Sequence, residues 1–182
     1  MNHHLLSPLA LVLGLGLASS AGAHVVLEYQ VAPADSAYKA TFKVGHGCGS
    51  AATRQVSVAI PAGVAGARPM PKPGWTVEIQ REKLAQPFTS HGRTVTEDVT
   101  RITWTARSAA DALPSDQYDE FVLVAQLPGR AGPLYWPLSQ VCDPGRLDWV
   151  EVPKPGQSIA DLKSPAAVLE VLPAAGASSH RH

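Results

Sequence analysis

Tyr38-Lys39-Ala40-Thr41-Phe42-Lys43-Val44 is the stretch that decides the fold. Apolar Tyr38, Ala40, Phe42 and Val44 alternate with Lys39, Thr41 and Lys43. A period of two sends one set into a core and the other into solvent, which is a half-buried β-strand. Upstream, His24–Val31 reads as a first strand, and Pro33-Ala34-Asp35-Ser36 between the two is turn chemistry. Downstream, Val56, Val58 and Ile60 repeat the period and stop at Pro61. Pro61–Gly74, rich in Pro, Gly and Ala, reads as a long loop, and Trp75-Val77-Ile79 as a fourth strand. Thr94–Ala106 holds a fifth, with Ile102 and Trp104 in phase. Asp119–Leu127 is a sixth, and its run Phe121-Val122-Leu123-Val124 predicts a central position. Leu134–Val141 reads as an edge segment broken at Pro137, and Leu147–Val152 as the last strand. No stretch has a convincing amphipathic helical period. Roughly seven or eight strands separated by turn signals predict an all-β chain, an antiparallel β-sandwich of immunoglobulin or fibronectin type III character. Ile159–Leu172 is expected to pack as a short coda.

The N-terminal residues follow a different logic. An apolar run from Leu5 to Leu17 precedes Ala21-Gly22-Ala23, an A-x-A cleavage site, so residues 1–23 read as a signal peptide. His3 and His4 stand where Lys or Arg is usual, a departure that the apolar run and the cleavage site outweigh. The expected organisation is a signal peptide at 1–23, one β-sandwich domain at 24–172 and a flexible Pro/Ala-rich tail at 173–182. Cleavage after Ala23 predicts a periplasmic protein. No other apolar stretch reaches the length of a membrane span, so the processed chain is expected to be soluble. With 15 Lys+Arg against 15 Asp+Glu, the net charge of zero argues against nucleic acid or an anionic membrane as partner. The two cysteines, Cys48 and Cys142, both lie in the exported part. An even count in an oxidising compartment predicts one disulfide, whose long loop is worth about 4–5 kcal/mol in the chain-entropy account. The alternative is a pair of soft metal ligands, which their wide separation and the lack of a C-x-x-C spacing disfavour.

Cleavage makes His24 the new N-terminus. Such a residue offers a metal its α-amino nitrogen and its ring nitrogen together, a chelate suited to the tetragonal preference of Cu(II). The α-amino group helps by its low pKa of about 7.7–8.0. Chance alone places a histidine after the cut a few times in a hundred, roughly its share of composition, so other residues must agree. If strands 24–31 and 37–45 pair through the turn at 33–36, opposed residues sum to about 69. His24 then faces residue 45, with His46 beside it at the same end of the sheet. His46 flanked by Gly45 and Gly47 also fits a plain loop histidine. A Cys48–Cys142 bond would bring Trp149 to that end, to cover a metal or simply to join the core in phase with Leu147. Glu28 lies two residue pairs from His24, about 13 Å along the strand, and is a poor ligand. Asp119-Glu120 reads as a solvent-facing pair rather than an acid–base couple, and His91 as a turn residue. His180 and His182 end the tail, where they can scavenge metal weakly. Met70 is the only methionine after the signal, which argues against a thioether Cu(I) site. No nucleophile-elbow, H-E-x-x-H or phosphate-loop motif occurs, and no enzyme activity is expected.

Several short motifs recur in order: His24-Val25-Val26-Leu27-Glu28, Ala37-Tyr38-Lys39-Ala40-Thr41-Phe42, Gly45-His46-Gly47-Cys48, Lys72-Pro73-Gly74-Trp75, Tyr118-Asp119-Glu120-Phe121, Gly132-Pro133-Leu134-Tyr135 and Cys142 to Trp149. On these the chain resembles the YcnI-like copper-binding proteins, an exported family, over His24 to about Leu172. The resemblance implies a fibronectin-like β-sandwich that binds Cu(II) through a mono-histidine brace at the mature N-terminus. By that likeness His24 is the brace and Trp149 the tryptophan near the copper. Gram-positive members carry a glutamate near the position of His46; this chain has the histidine and the two cysteines instead, so His46 as a ligand rests on the hairpin reading. The expected function is copper homeostasis or delivery, a metallochaperone role with periplasmic or membrane copper-handling proteins as partners. Two other classes compete. One is a copper monooxygenase using an N-terminal histidine brace; the other is a β-sandwich interaction module that binds no metal.

Overall fold

A computed structural model describes residues 24–90 and 92–174. The expected signal peptide, His91 and the tail histidines His180 and His182 lie outside the described residues. Twelve strands and two short 3-10 turns make up the described chain. The alternating stretch is β3 (Ala37–Val44), with Tyr38, Ala40, Phe42 and Val44 all buried. It pairs antiparallel with β8 (Asp119–Gln126) over its whole length, from Ala37↔Gln126 to Val44↔Asp119. β8 is an interior strand, as its apolar run predicted. With β1 (Val26–Leu27) and β5 (Ala65–Pro69) it makes a four-stranded sheet in the order β1-β3-β8-β5.

A second sheet has the order β11-β10-β4-β7-β6, from β4 (Thr53–Ala59), β6 (Trp75–Ser90), β7 (Arg93–Ala106), β10 (Leu138–Cys142) and β11 (Arg146–Trp149). The two sheets face each other across Phe121, whose ring meets Trp75 and Trp104 edge-on at 5.1 and 5.8 Å. Such tilted aromatic contacts add to the area they bury. A third sheet, β2-β12-β9, is built from β2 (Val31–Pro33), β9 (Gly132–Trp136) and β12 (Ala167–Leu172). It extends the core through Trp136, which packs edge-on against Phe42 at 5.7 Å. The architecture is the expected all-β sandwich with essentially no helix.

Several boundaries depart from the sequence reading, each for a physical reason. The strand expected at 24–31 is broken: Val26–Leu27 pairs with β3, the chain bends at Glu28–Gln30, and Val31–Pro33 runs parallel to β12 in another sheet. The hydroxyl of Tyr38 donates to the carbonyl of Tyr29 in that bend, satisfying a group that left the ladder. The loop expected at 61–74 contains β5, which pairs with β8 despite Gly66 and Pro69. As the sheet's edge it tolerates proline and an irregular register. The Trp75 strand runs to Ser90, far beyond Ile79, because its partner β7 extends with it. The break at Pro137 is real, but β10 beyond it is an interior strand, paired with both β4 and β11. Pro137 costs no ladder bond there, and its carbonyl accepts from the amide of Ala59. The strand expected at 147–152 is the shorter β11, and it is not the last. The coda supplies β12, central in the third sheet with Leu169 and Val171 buried.

Candidate metal site

The register at the N-terminus is the expected one. Val26↔Lys43 and Leu27↔Phe42 both sum to 69, so His24 lies level with residue 45. Val25 and Leu27 bury in the core and anchor the segment. His24 itself stands half-buried at the open edge of the sandwich. The facing edge belongs to β11, and its terminal Trp149 fills the space between. The His24 imidazole meets the Trp149 indole edge-on, 5.7 Å between ring centroids. The His46 imidazole meets the same indole at 6.1 Å, again nearly perpendicular. One indole, 5% exposed, is therefore the shared ring neighbour of two half-buried imidazoles.

The loop after β3 is held on several sides. Cys48 and Cys142 form a disulfide across 94 residues of sequence, with Cα atoms 5.9 Å apart. Cys48 and Ala51 exchange backbone hydrogen bonds at 3.1 and 3.3 Å, closing a tight turn. Gly47 permits it: a Cβ there would lie 1.9 Å from the Ala51 carbonyl oxygen. From β10, the buried side-chain amide of Gln140 donates to the His46 carbonyl at 2.6 Å and to the Thr53 hydroxyl at 2.7 Å. Its oxygen accepts from the Trp149 indole N–H at 3.3 Å. His46 Nδ1 lies 2.6 Å from the Gly47 carbonyl oxygen. A carbonyl only accepts, so in this contact Nδ1 is the donor.

The other candidates are accounted for without a ligand. Glu28 pairs with Lys43 at 2.5 Å, and that hydrogen bond holds the Lys43 ammonium above its ordinary pKa. Asp119 pairs with Lys72 at 2.6 Å, and Glu120 accepts from the Tyr118 hydroxyl. That bond, with a smaller burial effect, pushes the Tyr118 phenol up to about 12. On the outer face of β10 and β11, the Ser139 hydroxyl and then Arg146 hold the Asp148 carboxyl below its usual range. Gln140 is the residue that sequence reasoning missed. Its signal was a polar side chain in the inward phase of Leu138-Gln140-Cys142, where an apolar one is expected.

The donors present suit a borderline cation. Both cysteines are consumed in the disulfide, leaving no thiolate. Among the described residues there is no cluster of three or more His, Cys, Asp or Glu. Two imidazoles alone bind weakly, and a third nitrogen would be the α-amino group of a chain that began at His24. That donor set, all nitrogen, fits Cu(II).

Comparison with known proteins agrees on the fold. A family described as a domain of unknown function (DUF1775) matches residues 24–171, a stretch that begins at His24. No curated protein matches the chain. Among solved structures, an uncharacterized protein from Nocardia farcinica, reported to have an immunoglobulin-like fold, is similar at a TM-score of 0.63 and 24% identity, over 81% of this chain and 97% of that one. The sandwich is thus immunoglobulin-like, and the chain belongs to the DUF1775 family, the domain of the YcnI-like proteins.

Proposed function

We propose that this is an exported Cu(II)-binding protein acting in copper homeostasis or delivery in the periplasm, by binding rather than by turnover. The observation that carries the reading is the convergence of the His24 and His46 imidazoles on the single indole of Trp149. In the processed chain the α-amino and ring nitrogens of His24 chelate the ion, and Nε2 of His46 adds a third nitrogen. Trp149 supplies no comparable donor. Its ring restricts water on one side of the pair. The Gly47 carbonyl orients the His46 ring through Nδ1, the usual arrangement for a ligating imidazole. A site at an open sandwich edge suits cargo that must be handed on to a membrane or periplasmic copper protein.

The test is Cu(II) titration of protein beginning at His24 beside a variant with one extra residue before it, each followed by electron paramagnetic resonance. Stoichiometric binding with nitrogen hyperfine structure, lost in the extended variant, is expected. Equal affinity in both overturns the brace. Sustained peroxide production by the copper-loaded protein with a reductant would instead select an oxygenase.

A further inference from the structure

We infer that Gln140 is the positioning residue of the histidine pair, the group through which His46 and Trp149 are held as one unit. The inference deepens the copper reading and rests on it for its copper readouts, but its structural content stands in the metal-free protein. Gln140 is fully buried, with Leu138 and Cys142 buried on either side of it along β10. A primary amide there is costly unless its polar atoms are paired, and here both donors and the acceptor are used. Nε2 donates to the His46 carbonyl and to Thr53, and Oε1 accepts from the Trp149 indole. Because the amide is planar, the His46 carbonyl and the indole N–H cannot move independently while these bonds persist.

The disulfide does not make this contact redundant. It fixes Cys48, two residues beyond His46, whereas the carbonyl of His46 itself accepts from the Gln140 amide at 2.6 Å. The disulfide, the backbone bond from Gly47 to Ser115 and the Gln140 amide all hold the loop, and of these only Gln140 bonds the backbone of His46 and the Trp149 indole together. Neutrality matters as well as shape. A carboxylate at this position would face the His46 carbonyl oxygen, two acceptors with no proton between them.

The experiment compares wild type with Gln140→Met, which keeps the volume and removes the polar groups, and with Ser57→Ala. Ser57 is buried, bonded to Thr103 on the strands β4 and β7, and serves as a control for general weakening. In metal-free protein, nuclear magnetic resonance of the Trp149 indole N–H and the His46 ring reads the positioning directly. Gln140→Met is expected to shift the indole signal and move or broaden the His46 ring signals. It should also weaken Cu(II) binding by about 10–100-fold, the usual loss when a group supporting a ligand is removed. Ser57→Ala is expected to lower the melting temperature and leave both sets of signals in place. Should Gln140→Met fail to fold, Gln140→Asn, one methylene short of its partners, gives the same readouts. Unchanged His46 and Trp149 signals in the Gln140 variant, or equal changes in Ser57→Ala, overturn the inference. Failure of the wild type to bind copper overturns the copper reading alone, since the metal-free signals still decide the role of Gln140.

Discussion

At one edge of the five-stranded sheet, β10 and β11 bury Gln140 and Trp149, carry half of the disulfide and bond every polar atom of the Gln140 amide. At the other edge, β6 runs from Trp75 to Ser90, and from Glu78 to Pro87 every residue but Leu84 is exposed. Both edges are antiparallel ladders, with β11 paired at four positions and the much longer β6 at twelve. They differ in what the side chains gain by being there. Along the outer part of β6 and β7, order comes from the ladder and from local pairs such as Gln80 with Glu82. Around Trp149, order is enforced by burial, a covalent bond and a saturated amide, all converging on the loop that carries His46. Rigid placement is concentrated around the indole that both histidines touch.

The largest expected effect breaks the ordered edge. Replacing both cysteines with serine removes a constraint across 94 residues, worth about 4–5 kcal/mol in the chain-entropy account. Thermal melting of the oxidised protein and the double variant should then differ by ~10–15 °C. A difference of only a degree or two would show that the disulfide adds little to the hydrogen-bonded loop. Next is Gly47→Ala, whose Cβ would meet the Ala51 carbonyl oxygen at 1.9 Å. The loop must shift, at about 1–3 kcal/mol, and the His46 ring signals should move with it. Chemical denaturation that leaves stability unchanged would contradict this.

A smaller effect is expected at the opposite edge. Replacing residues 83–97 with an Asn-Gly turn joins the paired Glu82 and Asp98, keeps the buried Asp98 and Val99 and should cost under about 1 kcal/mol, as for other changes at exposed positions. The Trp149 indole and His46 ring signals should be unaltered. A loss of several kcal/mol would mean that the long hairpin supports the sandwich after all.

The subtlest prediction concerns the protons of two tyrosines, one exposed and one buried. Tyr118 and Tyr38 both titrate at about 12, the first mainly through its bond to Glu120 and the second through burial. A phenol whose folded pKa is raised contributes stability that is fully present below its unfolded value near 10 and is lost as pH rises toward about 12. Glu120→Gln should bring Tyr118 down toward the ordinary range and leave Tyr38 where it is. Ultraviolet titration of the tyrosines distinguishes the two, and a Tyr118 that stays high would point to a cause other than Glu120.

The strands that were legible in the chain are those whose own side chains alternate against a buried face. β3 announced itself through Tyr38, Ala40, Phe42 and Val44, and β8 through its continuous apolar run. The pairing sum of 69 for the first two strands held, because a one-residue slip would have turned Leu27 and Phe42 out of the core. What escaped were segments whose state depends on a neighbour. Ala65–Pro69 has the composition of a loop and becomes strand only because β8 offers an edge. Val31–Pro33 and Ala167–Leu172 meet in parallel across most of the chain, and no local pattern encodes so distant a partner. Gln140 was invisible for the same reason. A glutamine among hydrophobics reads as an interruption until the His46 carbonyl and the Trp149 indole are seen on either side of it.

The sequence by itself therefore determined the all-β class, the register at the N-terminus and the two histidines at one end of a sheet. Periodicity and turn chemistry are properties of adjacent residues, and they suffice for that much. Only the tertiary structure decided that both imidazoles share one indole, that the loop between β3 and β4 is held by both a disulfide and an amide, and that the coda is a central strand. Those facts come from closing the sandwich, where residues more than ninety positions apart, such as His46 and Gln140, must satisfy each other's hydrogen bonds because water is excluded from between them.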